Sequence, residues 1–229
     1  MSVFTAEKNW DRYVAQAELV ARTDGFQCLR DRILERAEID ANETVVDVGA
    51  GTGLLTLSAA EVARQVWAVD VSAGMCGYLA TKAQSAEQHN VVPVVASAIS
   101  LPLVGGSVDV AISNYCMHHL SHAEKIMALA EIHRVLRPGG RLVLGDMMFT
   151  VGLADARSRG LFALKVRALM AKGPSGAWRL ARNAARLASG RWERPASGRW
   201  WRQALADTGF GEISLELTEH EGGIVEGRR

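Results

Sequence analysis

Short apolar runs alternate with stretches of helical periodicity through the middle of the chain. The runs at 45–48, 66–70, 91–96, 108–113 and 142–144 are too continuously apolar for a sheet with one wet face. Helix-length stretches separate them, the pattern of a parallel sheet covered on both sides. Upstream, residues 5–38 read as two helices. The second is announced by Asp24 followed by Gln27 in capping-box spacing, with Leu29, Ile33 and Ala37 recurring at helical intervals. After the fourth run, Ser121 with Glu124 repeats the capping box, and Pro138-Gly139-Gly140 stops that helix. Past residue 150 the alternation ceases, and 154–188 reads as helical. Two last runs, 212–218 and 224–226, flank Gly222-Gly223 and predict a hairpin.

Composition agrees with one α/β domain carrying an elaboration: 229 residues, 48% hydrophobic and 22% charged, can bury a sizeable core and do not suit a disordered chain. The expected organisation is an N-terminal helical cap (1–40), a ligand-binding core (41–150), a basic helical lid (151–202) and the hairpin (203–229). No signal-like tract or membrane-length apolar run is seen, so the expected compartment is the cytoplasm. Cys28, Cys76 and Cys116 lack paired spacing. They read as small buried hydrophobes, and no metal site is expected.

The most informative stretch is VVDVGAGTG at 45–53, a strand running into glycines and then into a helix near Leu54. Gly49, Gly51 and Gly53 permit a sharp turn and close approach of a ligand to main-chain N–H groups, the mark of a nucleotide-like ligand. Asp70 ends the second run 21 residues after Gly49, where the carboxylate of a βαβ unit meets ribose hydroxyls. Asp47 lies beside the turn. There it would repel the pyrophosphate of a dinucleotide by several kcal/mol, an order-of-magnitude Coulomb figure, but attract a sulfonium and an ammonium. The third glycine also falls one residue early for GxGxxG. Both features favour S-adenosylmethionine (SAM) over NAD.

Taken with SNYxxHHL at 113–120 and EIHRVLRPGG at 131–140, these motifs resemble the class I SAM-dependent methyltransferases, in particular the small-molecule branch that includes the ubiquinone and menaquinone biosynthesis enzymes. The resemblance covers about residues 40–150. It implies a Rossmann-like, mostly parallel seven-stranded sheet with an antiparallel last strand, and a helical insertion before the hairpin. It also implies that Asp47, Gly49, Ala50, Gly51, Gly53, Asp70 and Val71 surround the cofactor, that Met75 packs near the ribose or adenine, and that Ala98 and Ile99 flank the adenine. Ser97 stands where relatives carry an acidic residue for the adenine amino group, and a hydroxyl is a weaker acceptor than a carboxylate. Asn114 and Tyr115 would line the methionine end. Trp10 and Tyr13 resemble residues that close over the cofactor; packing within the first helix is the other reading of both.

Methyl transfer needs chiefly positioning and exclusion of water, worth roughly 7–11 kcal/mol when orientation is good, and a base only where the nucleophile must lose a proton. His118 and His119 lie just past the fourth run, at the edge where open α/β sheets place ligands, and are the candidate bases. The competing reading has one packing on the sheet and the other capping the helix from Ser121. Asp146 faces the same edge as a candidate for orienting a substrate, whereas His133 reads as structural.

Charge is uneven under a net +1. Residues 151–202 hold 12 basic and 2 acidic side chains, against 12 and 17 in residues 1–150. Arg179, Arg182 and Arg186 recur at helical spacing beside Leu180, Ala184 and Leu187; Phe162, Val166 and Leu169 form another stripe near Arg159 and Arg167. Trp178, Trp192, Trp200 and Trp201 add aromatic surface. A lid shaping the acceptor pocket, a peripheral contact with an anionic membrane, and a nucleic-acid surface are the three readings, the last disfavoured by the chain's near neutrality. The function expected is transfer of a methyl group to a small or lipid-like acceptor. The alternatives are a non-catalytic module binding a membrane or partner through its basic helices, and an NAD-dependent oxidoreductase.

Overall fold

The computed structural model describes residues 9–149, 194–218 and 221–229, with isolated positions between 159 and 182. A 3-10 turn, Trp10–Tyr13, leads into α1 (Val14–Ala21) and α2 (Asp24–Ala37). The core then alternates β1 (Thr44–Val48), α3 (Leu54–Ala60), β2 (Gln65–Asp70), α4 (Ala73–Ser85), β3 (Val91–Val95), β4 (Val108–Asn114), α5 (His122–Val135) and β5 (Leu136–Met147). A further helix, here α6 (Gly198–Asp207), precedes β6 (Gly211–Leu217) and β7 (Gly222–Arg228).

The seven strands form one sheet in the order β3-β2-β1-β4-β5-β7-β6. The first five run parallel, and β7 enters antiparallel between β5 and β6. This is the open Rossmann-like α/β sheet expected. Strand order reverses between β1 and β4, and in such sheets the crevice outside the carboxyl ends at that point takes the ligand.

Residue alternation sends side chains to two faces. Val46 and Val48 of β1 join Leu129 and Ile132 of α5 and Trp201 and Leu205 of α6. Val45 joins Ile33 of α2 and Leu55 and Ala59 of α3. Because the period along a strand is two, Asp47 follows Val45 onto the α3 side. The hairpin is tied to α2 as well: Arg36 pairs with Glu216 and Glu226, and Arg32 with Glu216.

Several expectations change. The N-cap of α2 is Thr23, not Asp24; its hydroxyl is spent on the Val20 carbonyl, and Gln27 donates instead to the Ala21 carbonyl at 2.6 Å. The Ser121/Glu124 capping box is present in full. β5 begins at Leu136 rather than 142 because Leu136 already pairs with Val108 of β4, with the register shift between them falling around Pro138-Gly139-Gly140; residues 141–147 then pair with β7 as well. Cys28 is exposed and Cys116 half-buried, so only Cys76 is the buried apolar group expected. Trp201 is core rather than surface, at 0% exposure. Arg179, Arg186, Leu180, Ala184, Leu187, Phe162 and Trp192 lie outside the described residues; Trp178 is exposed. Among the described residues, no helix is long and apolar enough to cross a membrane.

Candidate functional site

The glycine turn joins β1 to α3 at the carboxyl edge. Gly49 has φ +77°, and a Cβ there would lie 2.2 Å from Cys116 Sγ, so both the backbone and the neighbouring loop require glycine. Gly51 has φ +52° but faces open space. The main-chain N–H groups expected to face a ligand are largely committed within the protein. Gly49 and Ala50 donate to the Val69 carbonyl at 2.8 and 3.0 Å, Gly53 donates to Ala50, and Gly51 donates to Asp70 Oδ2 at 2.8 Å. The turn is thus stitched to β2 and offers an anion little.

Two carboxylates flank it. Asp70 also accepts the Ser72 N–H at 2.9 Å; burial nevertheless raises its pKa above the ordinary carboxylate value. Asp47 is 1% exposed. Its partner is Thr56 Oγ1 of α3, at 2.6 Å. Burial, with Thr56 opposing and the Asp70 charge adding, pushes the Asp47 carboxyl up to about 7. Such a group favours a cation nearby and resists an anion.

Around this pair, Val71 is exposed and Met75 is buried at 4%. Ser97 is half-buried and takes the Ile99 N–H at 3.4 Å, while Ala98 and Ile99 rest partly on the core. Asn114 ends β4, and its Oδ1 is buried with no hydrogen-bond partner. Tyr115 follows in the left-handed region at φ +49° and stacks on Phe26 at 4.6 Å. Burial pushes its hydroxyl up to about 12.

On the neighbouring β4–β5 side, the two histidines separate. His118 is buried; Nδ1 lies 2.6 Å from Asp146 Oδ1, and its main-chain N–H donates to Asp146 Oδ2 at 2.8 Å. Asp146, 1% exposed, also accepts the Met147 N–H at 2.7 Å. Asp146 therefore orients His118. A carboxylate there accepts a hydrogen from Nδ1 and turns Nε2 away from Asp146. His119 is exposed, lies against the His118 ring at 3.9 Å and against Trp10 at 4.5 Å, and does not cap α5. His133 packs edge-on to Phe210 at 5.1 Å, a structural place.

The structure adds residues that sequence patterns did not single out. Asp11 of the N-terminal turn accepts Ser72 Oγ at 2.5 Å and the Gly74 N–H at 2.8 Å, which lowers its pKa. Lys82 reaches Glu18 of α1 and the Thr52 carbonyl of the glycine turn, both at 3.0 Å. Together they fasten the segment bearing Trp10 and Tyr13 near Asp70; Tyr13 is 38% exposed and edge-on to Trp10 at 6.1 Å. Their partners are 61 and 64 residues away, so no local motif marked them. Glu131 and Arg134, from the motif at 131–140, hold the Leu101 N–H and the Leu101 and Leu103 carbonyls.

The carboxyl edge where the strand order reverses, two carboxyl groups beside a glycine turn and a histidine–aspartate pair mark the candidate site of this α/β domain. Residues 45–140 match the model of the methyltransferase domain family. An uncharacterized methyltransferase of Geobacillus kaustophilus is 33% identical over 140 residues, 58% of this chain and 63% of that one. The chain thus spans under two thirds of the length of such relatives. Among solved structures, a SAM-dependent methyltransferase from Aquifex aeolicus superposes with TM-score 0.66 at 18% identity, covering 94% of this chain and 97% of that one. The cyclase SpnF superposes with TM-score 0.70 at 20% identity, covering 96% and 94%.

Proposed function

We propose that the chain transfers a methyl group from SAM to a small or lipophilic acceptor whose nucleophilic atom must lose a proton, with His118 as general base. The observation that carries this reading is the 2.6 Å contact between His118 Nδ1 and Asp146 at the ligand edge of a methyltransferase domain. The residues present fit the cofactor. Asn114 Oδ1 is a buried acceptor without a donor, Gly51 leaves room beside the turn, and Asp47 is a carboxyl whose buried charge a cation would stabilise. When bound, SAM supplies a methyl group already activated on a sulfonium.

The chain's own residues then have distinct tasks. Asp70 would accept ribose hydroxyls, Asn114 would take the ammonium, and Asp47 would face the positive end; Ser97, Ala98, Ile99 and Met75 would bound the adenosine. His118 Nε2 would take the acceptor's proton while Asp146 holds the ring and stabilises the imidazolium formed. His119 and Trp10 would wall the acceptor side. The committed N–H groups at 49, 50, 51 and 53 speak against NAD, whose pyrophosphate would meet Asp47 with few donors.

One fold hosts several reactions, as the superposition on a cyclase illustrates, so reaction must be tested separately from binding. Calorimetry with SAM on wild type and Asp70→Ala, then a methyl-transfer screen over phenols, amines and thiols with His118→Asn as comparison, does so. Binding abolished by Asp70→Ala and transfer lost in His118→Asn support the reading. SAM binding without transfer to any acceptor favours the non-catalytic module, and NAD binding in place of SAM sinks both.

A further inference from the structure

Lys125 occupies the first turn of α5 on the face shared with Ala128, Leu129 and Ile132, and it is wholly buried. A buried ammonium without a carboxylate in contact costs several kcal/mol, whereas a methionine would fill the same space at no such cost. Among the described residues Lys125 makes no ion pair. Its Nζ donates to two main-chain carbonyls, Leu120 at 2.5 Å and Arg194 at 2.7 Å, the second 69 residues away. The Arg194 peptide unit faces both ways: its N–H donates to the His118 carbonyl at 2.7 Å, while its own carbonyl receives Lys125.

We propose that Lys125 is the positioning residue of the His118–Asp146 pair, clasping the loop that carries His118 to the segment on which the chain returns at Arg194; this rests on the reading of that pair as acid–base machinery. The His118 backbone is held at two points, its N–H on Asp146 and its carbonyl on Arg194. The first is fixed by β5. The second depends on where Arg194 sits, and Lys125 places it. Removing the ammonium leaves the Leu120 and Arg194 carbonyls without their donor, which pushes that segment towards water and away from His118. The charges facing Lys125 are Asp146 from β5, Arg194 from the returning segment and Glu124 from its own helix, with the Cys116 thiol from the loop. Burial, with Arg194 adding and Asp146, Glu124 and Cys116 opposing, brings its pKa down to about 8.

The test is native-state amide exchange with imidazole NMR on the full chain, comparing wild type, Lys125→Met and Lys125→Gln without any acceptor. In Lys125→Met the Arg194 amide should exchange at least about tenfold faster and the His118 Nδ1–H signal should broaden, while amides of residues 110–113 in β4 keep their protection. Lys125→Gln retains donors and should recover part of both effects; if Lys125→Met does not fold, Lys125→Gln against wild type decides. Unchanged exchange at Arg194 with a sharp ring signal overturns the proposal, as does an equal loss across β4, which would make Lys125 a packing residue. Methyl transfer retained by His118→Asn would instead sink the general-base reading and leave the exchange result standing.

Discussion

The two halves of the ligand edge are built differently. On the β1–β2 side, the glycine turn, Asp47 and Asp70 fall within one βαβ unit, and the bonds among them span about twenty positions or fewer, as from Gly51 to Asp70, with Lys82 and Ser113 reaching in from farther along the chain. On the β4–β5 side, His118 depends on Asp146, 28 residues on, and Lys125 on Arg194, 69 residues on. On the proposed function the first half would hold the cofactor and the second would meet the acceptor. Separating them lets the acceptor machinery change without rebuilding the cofactor turn.

This division predicts that damage on one side stays there. His118→Asn should lower the rate of methyl transfer by about 10²–10⁴-fold while SAM affinity measured by calorimetry stays within about twofold. A parallel loss of SAM affinity would merge the two halves. Asp70→Ala should do the converse, weakening SAM by about a hundredfold, since hydrogen bonds to a charged group contribute about 1.5–3 kcal/mol each, with little change in rate at saturating SAM.

Asp47 gives the comparison a pH signature. Its carboxyl holds a proton to about pH 7 in the ligand-free fold, and a cationic ligand must displace that proton. SAM affinity should therefore rise with pH, by up to about tenfold between pH 6 and 8, and Asp47→Asn should flatten that profile. Stability runs the other way. Because the native state binds the proton more tightly than the unfolded chain, whose value is near 3.8, stability falls as pH climbs from about 4 to 7. Thermal melts of Asp47→Asn should gain on wild type across that window and then level off; a constant gap would remove Asp47 from the account.

The last of these effects concerns the seam between the halves, where Gly49 meets Cys116. Gly49→Ala should cost about 1–3 kcal/mol from its left-handed backbone, plus the clash with Cys116 Sγ and Cβ. Adding Cys116→Gly should return only the second part in denaturant melts. Full recovery would mean that the backbone carries no strain there.

Amino-acid order alone determined the open α/β sheet, its strands to within a few residues, the capping box at Ser121 and the glycine turn with Asp70, because each is written in local periodicity or in spacing within one βαβ unit. Where local signals competed, it misled: Thr23 displaced Asp24 as the cap, and β5 reached back to Leu136 because β4 lies beside it. Only tertiary structure decided that His118 rather than His119 meets Asp146, that Asp47 turns into α3, and that Asp11 and Lys82 fasten the N-terminal segment. Lys125 left a faint trace, a charge on an apolar helical stripe, but its partners are backbone carbonyls. Side-chain type encodes what a group can bond to. Which distant group arrives is set by strand order and helix packing, which no local propensity contains.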